Sequence, residues 1–279
     1  MWTLLQIELF KVFRRSRTYI SFAAIAAIVL LIQIAFYLDG QAYIDFMLQS
    51  LKNTFSVEGN ILNGYLICFI VLQTLLIHVP LLIALVAGDM IAGEANMGTL
   101  RLMVSKPISR SNLVITKFLA STCYTLVLLL WMALLSLVVS VLVFGVSDLI
   151  IFKSEMITIL EKSDILWRYF AAFGFAAIAM TTVAALALLL SVFAENSIGP
   201  IITTMSIIIV FTILTTMDLP LFNALKPYIF TSHMLGWKGF FDEPVQYNSV
   251  FRSAMVLLLH IFIFVGAAVV IFKRKDVLS

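Results

Sequence analysis

Long uncharged apolar blocks alternate along this chain with shorter stretches in which charged residues, glycine and proline collect. Six blocks stand out, at residues 19–38, 64–87, 118–145, 169–193, 199–217 and 251–272. A hydrocarbon core about 30 Å thick needs roughly 20 apolar helical residues, and these runs are long enough for helices rather than barrel strands. The pattern predicts an all-α polytopic membrane protein with six transmembrane helices. Arg14, Arg15 and Arg17 precede the first block as they would in a signal peptide. That block outruns an h-region of about 7–15 residues and lacks a small-residue cleavage site after it, so it is expected to remain as a span.

The connecting segments have patterns of their own. In residues 1–18, helical projection puts Trp2, Leu5, Leu9, Val12 and Phe13 on one face and Glu8, Lys11 and Arg15 opposite, as expected of an interfacial helix lying in the membrane surface. Leu4, Ile7 and Phe10 blur that division. Helical spacing recurs in 39–63, through Phe46, Met47, Leu51 and Phe55, and in 146–168, through Phe152, Met156, Ile159 and Leu160. Segment 218–250 is broken by Pro220, Pro227, Gly236, Gly239 and Pro244 yet stays apolar through Leu221, Phe222, Leu225, Tyr228, Ile229, Phe230 and Met234. Short helices forming a re-entrant outer hairpin before the last span are expected there, packed over the spans as a lid, because irregular backbone at that depth must be shielded. The alternative is a surface loop with interfacial aromatics.

Composition agrees with the pattern: 62% of residues are hydrophobic, 12% are charged and the mean hydropathy is +1.10. A soluble domain carries about 25% charged residues. Orientation follows from the basic residues. With the N-terminus inside, inner segments hold Lys11, Arg14, Arg15, Arg17, Arg101, Lys106, Arg110, Lys117, Lys273, Arg274 and Lys275, which is 11 of 18. Lys52, Lys153, Lys162, Arg168, Lys226, Lys238 and Arg252 fall outside. Both termini are therefore expected to be cytoplasmic in a cell-membrane protein. The net charge of +3 follows from this bias and calls for no nucleic acid. Cys68 and Cys123 sit at different depths, too far apart for a disulfide, and are expected to be free thiols.

The search for chemistry is mostly negative. The sequence has no GxxxxGK[ST] to cradle nucleotide phosphates and no HExxH, and His78, His233 and His260 lack metal-ligand spacing. No enzyme, cofactor or metal site is expected in this chain, so ATP, if used, must be handled by another subunit. Polar residues inside spans are the other candidates. Gln33, Gln73, Thr74, His78 and His260 interrupt apolar runs, and Thr204, Thr212 and Thr216 form an i, i+4 ladder broken at Ile208, with Thr215 close by. Gln73, Thr74, His78, Thr204, Thr212 and Thr216 could line a substrate path. Bonding back to carbonyls or between helices is the favoured reading, because hydroxyls are cheap to bury that way.

The longest polar interruption is residues 88–117, GDMIAGEANMGTLRLMVSKPISRSNLVITK, lying between two runs long enough to span. Ala95 to Val104 can supply a rigid helix despite Gly98, Glu94, Arg101 and Lys106 supply charged tips for a soluble partner, and Ser109 or Ser111 can cap the helix entering the third span. Anchoring to anionic head groups is the alternative. With FLA following, this stretch resembles the cytoplasmic loop of ABC transporter permeases of the type-2 exporter class. They share a Gly-Glu element, Gly-Thr-Leu, a basic residue, a Pro-Ile-Ser-Arg turn and a Lys before the next span. The six-span layout, the amphipathic start, the hydrophobic outer segment and the ending FKRKDVLS extend the resemblance over nearly the whole chain. It implies that Gly93, Glu94, Gly98, Thr99, Leu100, Arg101, Pro107 and Arg110 belong to a coupling element that docks on a separate ABC ATPase subunit carrying ATP and Mg. It further implies a homodimer, or a heterodimer with a similar permease, exporting a substrate that the residues do not identify. A secondary carrier would need internal repeats, and none is convincing between 1–140 and 141–279. An intramembrane enzyme would need a catalytic pair in a wet cavity, and only isolated histidines are at hand.

Overall fold

Side-chain caps set where two of the long helices begin in the computed structural model, which describes residues 1–52, 61–105, 107–152, 157–217 and 219–275. Of the residues singled out above, Phe55, Lys106, Lys153, Met156 and Asp218, together with the side chains of Met47, Leu51, Lys52 and Leu221, lie outside the described residues. The chain runs α1 (Trp2–Arg14), α2 (Ser16–Lys52), α3 (Gly64–Ala87), α4 (Asp89–Asn96), α5 (Thr99–Val104) and α6 (Arg110–Ala133). A π-helical turn (Leu134–Val139) leads into α7 (Ser140–Phe144), then β1 (Leu149–Phe152), β2 (Ile157–Leu160), α8 (Lys162–Phe193) and α9 (Ile198–Thr216). Short helices α10 (Pro220–Leu225) and α11 (Phe230–His233) and 3-10 turns at Lys226–Tyr228 and Met234–Phe241 precede α12 (Tyr247–Arg274).

Asn63 starts α3, its Oδ1 accepting from the Leu66 amide at 3.0 Å, while its Nδ2 donates to Asp148 O at 2.9 Å. Ser109, rather than Ser111, caps α6 by accepting from the Asn112 amide at 3.2 Å. Among the described residues six stretches of helix are long and apolar enough to cross a membrane, and this is a multi-pass, all-α membrane protein. Helix α2, at 37 residues, is about 55 Å long at 1.5 Å per residue and overshoots a hydrocarbon core. The helical spacing after residue 38 is thus a continuation of the first span.

The segment 146–168 corrects the helical expectation. Leu149 pairs with Leu160, Ile150 with Ile159, Ile151 with Thr158 and Phe152 with Ile157 in an antiparallel hairpin. Period-two burial explains it: Leu149, Ile151, Thr158 and Leu160 face inward while Ile157 and Ile159 stay exposed, and β-branched residues favour that pleat.

Helix α8 is central and packs against α3, α6 and α12. Lipid tails are as apolar as leucine, so association of spans depends on close packing, and Ala172, Ala176, Ala179, Ala184 and Ala187 give α8 a narrow, fully buried face. One end of the bundle, the loop pole, gathers α1, α4, α5, the start of α6 and the end of α12. The other, the hairpin pole, is closed by the broken segment expected to act as a lid. There Trp237 and Phe241 are buried against Phe69, with ring centroids at 5.6 and 5.2 Å, and Phe241 lies 5.0 Å from Tyr169. The buried Arg168 fastens this lid to α8, donating to Phe240 O at 2.9 Å, Asp242 O at 3.0 Å and Glu243 Oε2 at 2.8 Å.

Helix α3 crosses α7 so closely that a Cβ on Gly64 would lie 2.5 Å from Val141 Cα and 2.6 Å from Ser140 O. Gly64→Ala is expected to destabilise the detergent-purified protein by about 1–3 kcal/mol, since backbone atoms cannot swing aside. Gly174→Ala in α8, with nothing within 4 Å of the new methyl, should be neutral or stabilising. Thermal unfolding compares the two; equal midpoints would contradict the close crossing.

Candidate functional site

Four charged side chains from three elements close a ring at the loop pole. Glu8 and Lys11 come from α1, Glu94 from α4 and Lys117 from α6. Lys11 Nζ lies 2.8 Å from Glu8 Oε1 and 2.8 Å from Glu94 Oε1. Lys117 Nζ lies 2.8 Å from Glu8 Oε2 and 2.7 Å from Glu94 Oε2. Each lysine thus bridges one oxygen of each carboxylate, and the ring carries no net charge. The side chains of Glu8, Glu94 and Lys117 are 2%, 4% and 1% exposed, whereas that of Lys11 is 34% exposed. Water therefore reaches the ring from the Lys11 side.

Burial by itself would raise the Glu8 carboxyl above its ordinary 4.5, but the Lys117 charge and hydrogen bonds from Lys11 and Lys117 outweigh it and hold the group below that value. Burial would likewise lower Lys11 from 10.5, and the hydrogen bonds and charges of Glu8 and Glu94 raise it instead. Glu8 therefore contributes stability that is present above 4.5 and lost as pH falls through its lower folded value. The contribution of Lys11 is present below 10.5 and lost as pH rises through its higher folded value.

A second cluster lies beside the ring. Asp89, at the start of α4, pairs with Arg15 and, at 2.9 Å, with Arg17. Arg15 is the extended residue separating α1 from α2, so Asp89 ties the loop to the point where the first span begins. Gly93 leaves room for this: a Cβ there would lie 2.4 Å from Asp89 Oδ1. Ser191 of α8 accepts from the amides of Ile91 at 3.1 Å and Ala92 at 2.8 Å, satisfying two of the donors orphaned in the first turn of α4. Through these contacts α4 is joined to α1, α2, α6 and α8.

Several expectations need correcting. Glu8 and Lys11 do share a face of α1, with Arg15 just beyond its end, but Glu8 is 1% exposed and that face turns into the protein, while Ile7, Phe10 and Trp2 are exposed. An amphipathic projection assigns charges to water by default; here the partners are charges far away in sequence. Glu94, expected at a charged tip, is buried in the ring instead. The single helix expected over Ala95 to Val104 is broken at Gly98, whose φ of 70° is the left-handed conformation that ends α4 and turns the chain into α5. Gly93 and Leu100 are buried, and Gly98, Thr99, Arg101 and Pro107 are exposed together with Met97 and Leu102. Arg110 donates to Lys273 O at 3.1 Å and Lys275 O at 2.6 Å, so it caps the last helix. The sequence does not show Glu8, Lys11, Arg15, Arg17 and Ser191 to be partners of the loop, nor Asp89 to be one of its anchors. The i, i+3 spacing of Glu8 and Lys11 within an otherwise apolar helix was the signal for the first two.

Several polar residues of the spans are engaged within their own helix. His78 Nδ1 donates to Thr74 O at 2.8 Å, and Thr204 to Pro200 O at 2.6 Å. Thr215 donates to Thr212 O and Thr216 to Ile213 O, each at 2.9 Å. These bonds run within single helices. Gln73 and Thr74 line a cleft of about 330 Å³ with Tyr43, Phe69 and Phe152 between α2, α3 and β1. Gln33 makes a bond between helices instead, donating to Leu135 O and Ser140 Oγ at 2.9 Å and so occupying a carbonyl of the π-helical turn.

A family model described as "ABC-2 family transporter protein" matches residues 2–277. No curated protein matches the chain.

The ring makes a quantitative prediction. Lys117→Met leaves two buried carboxylates facing one lysine and is expected to cost about 3–5 kcal/mol, with less for the half-exposed Lys11→Met. Adding Glu94→Gln to Lys117→Met should return part of the loss. Denaturation midpoints in detergent read all three; equal costs for the two single changes and an additive double variant would show that the pairs do not form. The wild-type midpoint should stay level between pH 4.5 and 10.5 as far as these groups go, with an acid limb that Glu8→Gln weakens.

Proposed function

The chain belongs to the ABC-2 transporter family and is a permease subunit; from that premise we propose that it couples ATP hydrolysis on a separate ABC ATPase subunit to export of a substrate. The observation that carries this reading is the fastening of α4. Displacing the exposed knuckle of Met97, Gly98, Thr99 and Leu102 pulls, through Glu94 and Asp89, on α1, the start of α2 and the start of α6, and through the Ile91 and Ala92 amides on α8. The knuckle is what a partner touches, and the ring is what transmits the movement.

In this reading the loop pole and both termini are on the cytoplasmic side of the cell membrane, and ATP and Mg reside on the ATPase. A groove of about 320 Å³ lined by Lys11, Arg15, Glu94, Met97, Thr99, Leu102 and Met103 is the seat for the ATPase surface. Two permease chains, identical or similar, and two ATPases make the working complex. Nucleotide shifts the balance between inward-open and outward-open arrangements because the closed ATPase pair binds one of them better. The chain alone is no enzyme.

Separate variants distinguish touching from transmitting. Leu102→Asp, on the knuckle, is expected to weaken co-purification of the ATPase by about tenfold, the loss of one modest hot spot. Glu94→Gln should leave the complex assembled but lower transport per ATP hydrolysed. If Glu94→Gln lowers neither quantity and Leu102→Asp leaves assembly intact, the loop is not the coupling element. Orientation is checked with single cysteines, Ser105→Cys and Ser249→Cys, in a chain lacking Cys68 and Cys123. An impermeant reagent on intact cells should mark only Ser249→Cys, and labelling of Ser105→Cys reverses the topology.

A further inference from the structure

Away from the ring, the loop pole has a second basic site where α8 and α12 end side by side. A cavity of about 360 Å³ is lined by Val192, Phe193, Ile271, Arg274 and Lys275. Its floor is apolar: Phe193 is 61% exposed and Ile271 is half-buried. Its rim is cationic. Lys275 Nζ donates to Val192 O at 2.8 Å, holding one wall to the other, and Arg110 caps the carbonyls of Lys273 and Lys275. Lys273 and Arg274 are exposed at the end of α12. Glu195, in the turn after α8, is exposed two residues beyond Phe193.

The depth of the site decides what fits it. Phe193 and Arg274 are the last residues of two helices long enough to cross the bilayer, so the cavity opens at the level of the lipid head groups, its apolar floor toward the acyl chains and its cations toward the phosphates. Basic pockets between spans at head-group depth suit anionic lipid. We infer that this cavity binds one anionic phospholipid, its phosphate held between Arg274 and Lys275 and an acyl chain lying along Phe193 and Ile271. The two walls come from the central helix and the last helix, so a bound lipid bridges them at the pole where the coupling loop sits. This inference rests on the membrane placement of the spans, not on the ATPase reading.

The test uses the full chain in detergent, titrated with phosphatidylglycerol or phosphatidylcholine and followed by native mass spectrometry. Wild type is expected to retain one phosphatidylglycerol at least about fivefold more tightly than phosphatidylcholine, the preference one well-placed cation provides. Arg274→Gln should remove most of that preference. Arg14→Gln removes the same charge from the same pole but outside the cavity, and should leave it intact. Equal retention of the two lipids by wild type, or an equal loss from Arg14→Gln, would show only diffuse attraction and overturn the site. Displacement of the lipid by glycerol phosphate at similar concentration would reassign the pocket to a soluble anion. A preference kept in Arg274→Gln would place the lipid elsewhere.

Discussion

Charge that leaves water must find charge, and at the loop pole that requirement organises the protein. Moving a single ammonium or carboxylate into this interior would cost several kcal/mol per ion. Glu8, Lys11, Glu94 and Lys117 avoid the penalty only as a closed set, with two anions, two cations and a lysine within 2.8 Å of every carboxylate oxygen. Closure in turn dictates placement. α1 must turn its charged face inward, leaving Phe10 and Ile7 outward, and α4 must approach the start of α6. Gly93 must be small, because Asp89 occupies the space its side chain would take.

From there the constraint propagates along α8. Ser191 receives the first turn of α4 at one end, and Arg168 holds the aromatic lid at the other. Between them lies the alanine-rich face that lets α3, α6 and α12 come close. One rigid helix therefore meets both the loop and the lid. Helix α9 is mostly exposed, with Pro200, Thr204 and Ile208 as its buried residues, and Thr204, Thr215 and Thr216 bond within the helix.

Hydropathy made the six spans legible, because the length of an apolar run suffices and no partner need be known. The broken outer segment was legible for a related reason: proline and glycine fix the breaks, while the aromatics between them must be buried. What escaped were features that depend on contacts distant in sequence. Glu8 meets Lys117 across 109 residues and Lys11 meets Glu94 across 83, so a helical projection of residues 1–18 had only solvent to offer them. The hairpin at Leu149–Phe152 and Ile157–Leu160 was misread because Phe152, Ile159 and Leu160 fit a helical spacing almost as well as the alternation that its pairing selects. Gly98 was noticed, but its left-handed turn follows from how α5 leaves α4 and not from its neighbours in the chain.

The choice of ions over hydrocarbon at the ring still needs a reason, since well-packed apolar side chains of similar volume are often as stabilising as a buried ion pair or more so. What apolar contact lacks is direction. Leucines sliding past one another by a few ångströms lose little, because dispersion is summed over many weak, similar contacts. In the ring, the same slip breaks several short hydrogen bonds and leaves charges facing hydrocarbon, so the energy rises steeply with displacement in any direction. A joint of that kind is stiff without being more stable. The stiffness lies where α1, α4 and α6 meet, and Lys11 shows how it is kept tolerable: its half-exposed head retains some hydration, so the ring is never wholly cut off from water.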